Sequence, residues 1–148
     1  MAVANSPLYP ENVNTFGLYG GLELTNAAYT LVELASVNWS DIISLKATST
    51  DTVDRVIQLF ARNATTDYLL ATFSVPANSG NSTSVPAVNL LTSSQLPVNY
   101  DSNGSRFLRL NVLGVSAPTV SSLSVSSTTA PTAGKVIAIT SLMLDYRF

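Results

Sequence analysis

Cysteine and histidine are both absent from this chain of 148 residues. Without cysteine the chain has no thiol nucleophile, no disulfide framework and no cysteine-based zinc finger. Without histidine it lacks the imidazole group that serves as general acid or base in many enzymes. The absence of cysteine does not assign the protein to a reducing or an oxidising compartment.

Charged residues are also scarce, at 11% of the sequence against about 25% in an average soluble domain. Serine, threonine and asparagine stand in their place along nearly every segment. Such a neutral polar surface suits a protein that packs into an assembly, because few ions lose their water there. It equally suits a protein that works outside the cell. The net charge is −2 with no basic run, so we expect no binding to nucleic acid.

Long apolar runs are missing as well, so we expect no membrane association. The first residues, MAVANSPLYPEN, lack the basic and apolar regions of a signal peptide. We therefore expect synthesis in a cytosol, with the protein kept there or released by lysis. Hydrophobic residues form 46% of the chain, which is enough for the core of a single domain without a metal or disulfide.

Residues 53–75 (VDRVIQLFARNATTDYLLATFSV) carry the clearest structural pattern. Apolar and polar residues alternate on both sides of a polar break at residues 63–67, which predicts a β-hairpin. The alternation places these residues on one face of the hairpin: Ile57, Leu59 and Ala61 in the first arm, and Leu69, Ala71, Phe73 and Val75 in the second. It places Tyr68, Leu70, Thr72 and Ser74 on the other face.

The rest of the chain predicts further short strands separated by turns, about eight in all. Ile43, Leu45 and Ala47 mark one strand, and residues 76–86 form a loop by composition. The segment from Asp101 to Gly104 is the strongest turn signal, with a following strand that turns Phe107, Arg109 and Asn111 away from the core. We predict an all-β fold, a β-sandwich of jelly-roll type, with a small barrel as the alternative. The expected core includes Leu59, Ala71, Phe73, Leu108, Leu110 and Val112.

Two segments are candidates for interfaces. Residues 1–21 predict an extended N-terminal arm ahead of a single domain at 22–148, because Pro7 and Pro10 oppose ladder pairing. The last strand, residues 135–146, is apolar on both faces, so it is either central to the sandwich or covered by a partner. The candidate interface residues are Leu8, Tyr9, Phe16 and Tyr19 in the arm, and Ile137, Ile139 and Met143 in the last strand.

No set of residues predicts a catalytic or metal site. Asp51 and Asp54 are close in sequence, but at a strand entry we interpret them as turn and cap residues rather than as a carboxylate pair. Asp101 to Ser105 resembles half of a calcium loop, yet it lacks the third oxygen ligand and the distal glutamate. A hairpin turn is therefore preferred there, and we expect a protein that is not an enzyme and uses no cofactor.

Four stretches of the sequence together resemble a class of small tailed-bacteriophage virion proteins of β-sandwich type. They are DRVIQLFARNATTDYLLATFSVPA, VPAVNLL, LPVNYDSNGSRFLRLNVLG and APTAGKVIAITSLMLDY, and the likeness spans about residues 28–146. The resemblance implies a capsid decoration (cement) protein on the outer surface of the capsid, made in the host cytoplasm. It implies the major capsid protein as a partner and self-association as a homodimer or homotrimer.

Two other functions stay open at this stage. One is a tail or baseplate component, which copy number per virion would distinguish from a decoration protein. The other is a carbohydrate- or receptor-binding module, since jelly rolls often serve that purpose. Aromatic rings exposed in a groove would favour that third interpretation.

Overall fold

A computed structural model describes residues 10–16, 22–24, 30–34, 39–63, 66–96, 98–111 and 122–146. Within these residues the chain is all-β, apart from a single-turn 3-10 helix at Leu90–Thr92. The strands form two antiparallel sheets, in agreement with the predicted β-sandwich.

The first sheet contains seven strands within the described ranges. In chain order they are β1 (Pro10–Phe16), β2 (Leu22–Leu24), β4 (Trp39–Ser49), β7 (Val88–Asn89), β8 (Asn99–Tyr100), β9 (Arg106–Asn111) and β11 (Ile137–Tyr146). Both β1 and β2 pair with β11, which pairs with β4. Both β9 and β7 pair with β4, and β8 pairs with β9 at the edge.

The second sheet has the order β3-β10-β5-β6. Its strands are β3 (Thr30–Leu34), β5 (Arg55–Asn63), β6 (Thr66–Val75) and β10 (Ser122–Ser127). The predicted hairpin is confirmed as β5 and β6, although the pairing continues to Asn63 and Thr66 and leaves only two residues between the strands.

The pairing is nested from the two ends of the chain towards its middle. The first two strands, β1 and β2, each pair with the last strand, β11, and β3 pairs with β10. Further in, β4 pairs with β9, and β5 pairs with β6. The two sheets share one apolar core, built from residues of both.

The predicted core is confirmed at the positions that the structure describes. Its predicted members are 8% exposed or less: Leu59, Ala71, Phe73, Leu108 and Leu110. Val112, the remaining predicted core residue, lies outside the described residues. The alternation on β9 therefore correctly identified its inner face.

The last strand, β11, is central to the first sheet, and this corrects one of the interface predictions. Ile137, Ile139 and Met143 have no exposed surface, because they point into the chain's own core. They cannot contact a partner, so their assignment as interface residues is wrong. The opposite face of β11 carries the half-buried Leu142 and Leu144.

A bulge in β6 breaks the alternation that predicted its two faces. Leu59 pairs with Ala71 and Phe60 pairs with Leu69, so Leu70 is the extra residue. Leu69 is consequently 55% exposed instead of buried, and Leu70 packs against the core. The prediction for these two leucines is therefore wrong.

A second bulge lies in β4. Ser44 pairs with Leu142 and Ile42 pairs with Met143, so Ile43 is the extra residue. Ile42 is fully buried, whereas Ile43 is 41% exposed and does not share the inner face of Leu45.

The N-terminal prediction also needs correction, because Pro10–Phe16 is a strand paired with β11. Pro10 is tolerated as the first residue of an edge strand, and the register shifts immediately after it. The predicted arm at residues 1–21 is therefore wrong over Pro10–Phe16. Phe16 pairs with Ser141, while Leu8, Tyr9 and Tyr19 lie outside the described residues.

Candidate functional site

A depression lies on the outer face of the first sheet, where β11, β4, β9 and β8 run side by side. Its volume is about 330 Å³. One part of its lining lies on the face turned away from the core, because the alternate residues Ile42, Leu108 and Met143 are buried. Tyr100 and Arg106, which pair with each other, line it from the end of the β8–β9 ladder. The lining consists of Asp41, Ile43, Tyr100, Asp101, Ser105, Arg106, Phe107, Arg109 and Leu144. We call this surface the sheet depression.

An Asp–Arg pair crosses the floor of the sheet depression. Asp41 and Arg109 are directly opposite each other on β4 and β9. Arg109 Nε donates to Asp41 Oδ1 at 2.7 Å, and Nη2 donates to Oδ2 at 2.9 Å. The guanidinium carbon is also 5.4 Å from the centroid of the Phe107 ring. The carboxylate and the ring together fix the orientation of a side chain that is 41% exposed.

A second arginine and an aromatic ring meet at the rim. Tyr100 on β8 pairs with Arg106 on β9, and the guanidinium carbon lies 5.6 Å from the Tyr100 ring centroid. Arg106 Nη1 also lies 3.4 Å from the carbonyl oxygen of Leu91. Tyr100 is nevertheless 60% exposed. The rim therefore presents a large aromatic ring to solvent, with a cation held beside it.

The β8–β9 turn confirms the hairpin interpretation of this segment. The N–H groups of Asn103 and Ser105 both donate to Asp101 Oδ1 at 2.8 Å. Gly104 N donates to the Asp101 carbonyl oxygen at 3.0 Å, and Gly104 has φ of +79°. The Asp101 side chain therefore shapes the turn, as an Asx-type turn requires.

The sequence did not predict the sheet depression, although the alternation in β9 correctly placed Phe107 and Arg109 on the outer face. The missing contributors were Tyr100 and Arg106, which flank the turn on opposite strands. Because a hairpin places flanking residues side by side, that spacing was a usable signal. Ile43 could not have been found in this way, because only the β4 bulge turns it outwards.

Asp51 forms a separate cluster at the far end of β4. Its carboxylate is fully buried and accepts from Arg55 Nε at 2.7 Å, Thr132 N at 2.9 Å and Thr132 Oγ1 at 2.8 Å. Val53 N donates to it at 3.3 Å. We call Asp51, Val53, Arg55 and Thr132 the Asp51 cluster; it joins the β4–β5 loop to the β10–β11 loop.

The pKa of Asp51 is held far below its usual value. The N–H of Thr132 is the largest cause, and burial opposes it by disfavouring the charged form. The Arg55 guanidinium, the Thr132 hydroxyl and the Val53 N–H all lower the pKa further. A carboxylate committed to so many donors is held as an anion for structural purposes.

The turn interpretation is confirmed for Asp51, whereas Asp54 contacts a loop distant in sequence. Asp51 accepts from the N–H of Val53 two residues later. Asp54 Oδ1 accepts from Ala77 N at 2.8 Å, which fixes the loop at residues 76–86. The two carboxylates thus bind different loops.

The end of the β5–β6 hairpin exposes apolar side chains. Tyr68 is 58% exposed and its neighbour Leu69 is 55% exposed. Neighbouring residues in a strand point to opposite faces of the sheet. The hairpin end is therefore apolar and accessible on both of its faces.

No group of three or more His, Cys, Asp or Glu in the described ranges could hold a metal ion. In the same part of the chain, no helix has the length and apolarity required to cross a membrane. No protein-family model, curated protein or solved structure matches this chain.

Proposed function

We propose that this chain is a structural protein of a tailed-bacteriophage virion, attached as a decoration (cement) protein to the outer face of the capsid. Its partners are the major capsid protein and further copies of itself, as a homodimer or homotrimer. It is made in the host cytoplasm and binds neither nucleic acid nor membrane. It has no enzymatic role.

The strand order supports this proposal through the fold that we assign to it, a jelly roll. In this chain β1 and β2 pair with β11, β3 pairs with β10 and β4 pairs with β9, a nested order that results when one long antiparallel ribbon is rolled into two sheets. Eight strands with two Greek keys define that fold, and viral capsid proteins are among its users. Fold alone does not assign a function, so the attachment surface has to be argued from its residues.

The observation that carries the proposal is the exposure of Tyr68 and Leu69 at the end of the β5–β6 hairpin. Within the described residues β6 is the last strand of its sheet, and only part of its outer edge is covered, where Thr72 N donates to Gln95 Oε1. An isolated domain gains nothing from two large apolar side chains in water. A neighbouring subunit that covers both faces would gain about 1.5–3 kcal/mol for each side chain.

The test combines Tyr68→Ala with Leu69→Ala and measures sedimentation of the protein with capsids stripped of it. We expect affinity for the capsid to fall by at least about tenfold, because two apolar anchors are removed. Val56→Ser is the matched control, since Val56 is 37% exposed near the start of β5, away from the hairpin end. The control should bind like the wild type, and both proteins should keep their melting temperature.

Unchanged capsid binding by the double variant would overturn the proposal for this surface. A location on the tail, or a copy number far below that of the capsid subunits, would favour the tail or baseplate alternative. Antibody labelling of intact virions separates these two outcomes.

A further inference from the structure

We propose that the sheet depression binds a neutral saccharide, which stacks on the exposed ring of Tyr100. This proposal is independent of capsid attachment, because the depression lies on the first sheet and the β5–β6 hairpin end belongs to the second.

The size of the depression suits a small ligand. Its volume of about 330 Å³ is at the lower end of the range for small-molecule sites, roughly 300–1,000 Å³. That space accommodates a monosaccharide or a disaccharide. A longer chain would have to extend past the open rim at Tyr100.

The lining combines the two kinds of surface that a sugar ring presents. The C–H faces of a sugar are apolar, and Tyr100, Phe107 and Ile43 supply aromatic and aliphatic surface. The hydroxyl groups both donate and accept hydrogen bonds. Guanidinium groups donate, carboxylates accept and the Ser105 hydroxyl can do both, so each kind of partner is present.

Charge balance selects a neutral ligand over an anionic one. The lining contains two arginines, Arg106 and Arg109, and two aspartates, Asp41 and Asp101, so its formal charges cancel. Arg109 already makes a two-point contact with Asp41. An anion would have to compete with that carboxylate and approach a second one, whereas a neutral polyol loses nothing to either.

The polar groups are also held in place before any ligand arrives. Arg109 is fixed by Asp41 and by the Phe107 ring, and Arg106 lies against Tyr100. Fixing these side chains in advance lowers the entropy that binding costs. Rigid aromatic and arginine side chains of this kind dominate many binding sites.

The experiment screens the full chain on an array of neutral and anionic oligosaccharides and confirms hits by saturation-transfer NMR. We expect hits among neutral saccharides, with little dependence on salt. Tyr100→Ala should weaken binding by at least about tenfold, because a stacking aromatic is a typical energetic anchor. Tyr100→Phe should keep most of the affinity, since the ring is retained.

Tyr68→Ala is the matched control, because Tyr68 is 58% exposed and Tyr100 is 60% exposed, on different sheets. It should bind saccharide like the wild type. Three results would overturn the proposal: no neutral hit, binding of anionic saccharides alone, or equal affinity in the Tyr100→Ala variant and the wild type. None of them affects the capsid proposal, whose test uses Tyr68 and Leu69.

Discussion

Two Asp–Arg pairs in this protein have the same short contact but different surroundings. In both, the arginine Nε lies 2.7 Å from a carboxylate oxygen. In the Asp51–Arg55 pair the side chains are 0% and 16% exposed, and Arg55 also donates to the hydroxyls of Thr129 and Thr132. In the second pair Asp41 is 7% exposed and Arg109 is 41% exposed, at the floor of the sheet depression.

The comparison shows that contact distance alone does not reveal what an ion pair does. A buried carboxylate must have every oxygen satisfied, so the Asp51 cluster ties loops together and leaves no room for a ligand. In the Asp41–Arg109 pair the carboxylate is buried but the arginine is exposed, so water screens the pair in part and it contributes less to stability than the Asp51 cluster. Its fixed orientation instead makes it suitable for recognition.

The largest expected effect comes from Asp51→Asn. This substitution keeps the shape of the side chain but replaces one acceptor by an N–H₂ donor, which would face Arg55 and Thr132. The unfolding free energy should fall markedly, because the Arg55 guanidinium and the Thr132 N–H lose the acceptor that the buried carboxylate provides. Chemical denaturation at pH 7 measures it.

Asp41→Asn is the control for that substitution, because it changes the same kind of pair where the arginine is exposed. It should cost less than Asp51→Asn, because water can still solvate Arg109 when the carboxylate is lost. If the two variants lose equal stability, the distinction between a structural pair and a surface pair is wrong.

Acid should act on the Asp51 cluster in a defined direction. The pKa of Asp51 is lower in the folded than in the unfolded chain, where it is about 3.8. Between the two values the unfolded state binds more protons, so stability rises with pH in that window. The contribution of Asp51 is therefore fully present above about pH 5 and is lost as pH falls from about 4 towards the folded pKa.

Denaturation curves of the wild type and of Asp51→Asn between pH 2 and pH 7 test this prediction. The wild type should lose more unfolding free energy in the acid range than the variant, which has no carboxylate to protonate at residue 51. Parallel pH profiles would show that Asp51 does not control the acid response.

The comparison between sequence and structure separates what alternation can and cannot predict. Period-two patterns identified the hairpin, the inner face of β9 and the core around Leu59 and Phe73, because a side chain's face follows directly from its position in a regular strand. They failed at Ile43 and Leu69. A bulge adds one residue to one strand, and its position depends on pairing with a strand distant in sequence.

The same limit explains why the candidate site was largely missed. The Asp41–Arg109 pair joins residues far apart in sequence, so no local pattern indicates it. Sequence reasoning also chose the wrong face of β11, since both faces are apolar and only the second sheet decides which one is covered. The turn at Asp101 was predictable because its hydrogen bonds are local.

A pair of glycines sharpens the comparison between the two regions. Gly80 lies in the loop that packs near the Asp51 cluster, and Gly104 lies in the turn beside the sheet depression; φ is +74° and +79° respectively. Alanine at either position should lose about 1–2 kcal/mol through the left-handed backbone alone. A Cβ at residue 80 would lie 2.6 Å from Thr48 Cγ2, whereas a Cβ at residue 104 has no atom within 4 Å. Gly80→Ala should therefore cost an additional 1–3 kcal/mol, roughly, from overpacking.

Thermal unfolding of the two variants measures the difference between them. Gly80→Ala combined with Thr48→Ser, which removes the obstructing methyl group, should recover part of that difference. Equal losses in the two single variants would mean that the loop at residues 76–86 yields as easily as the open turn, and the contrast between a packed end and an accessible face would fail.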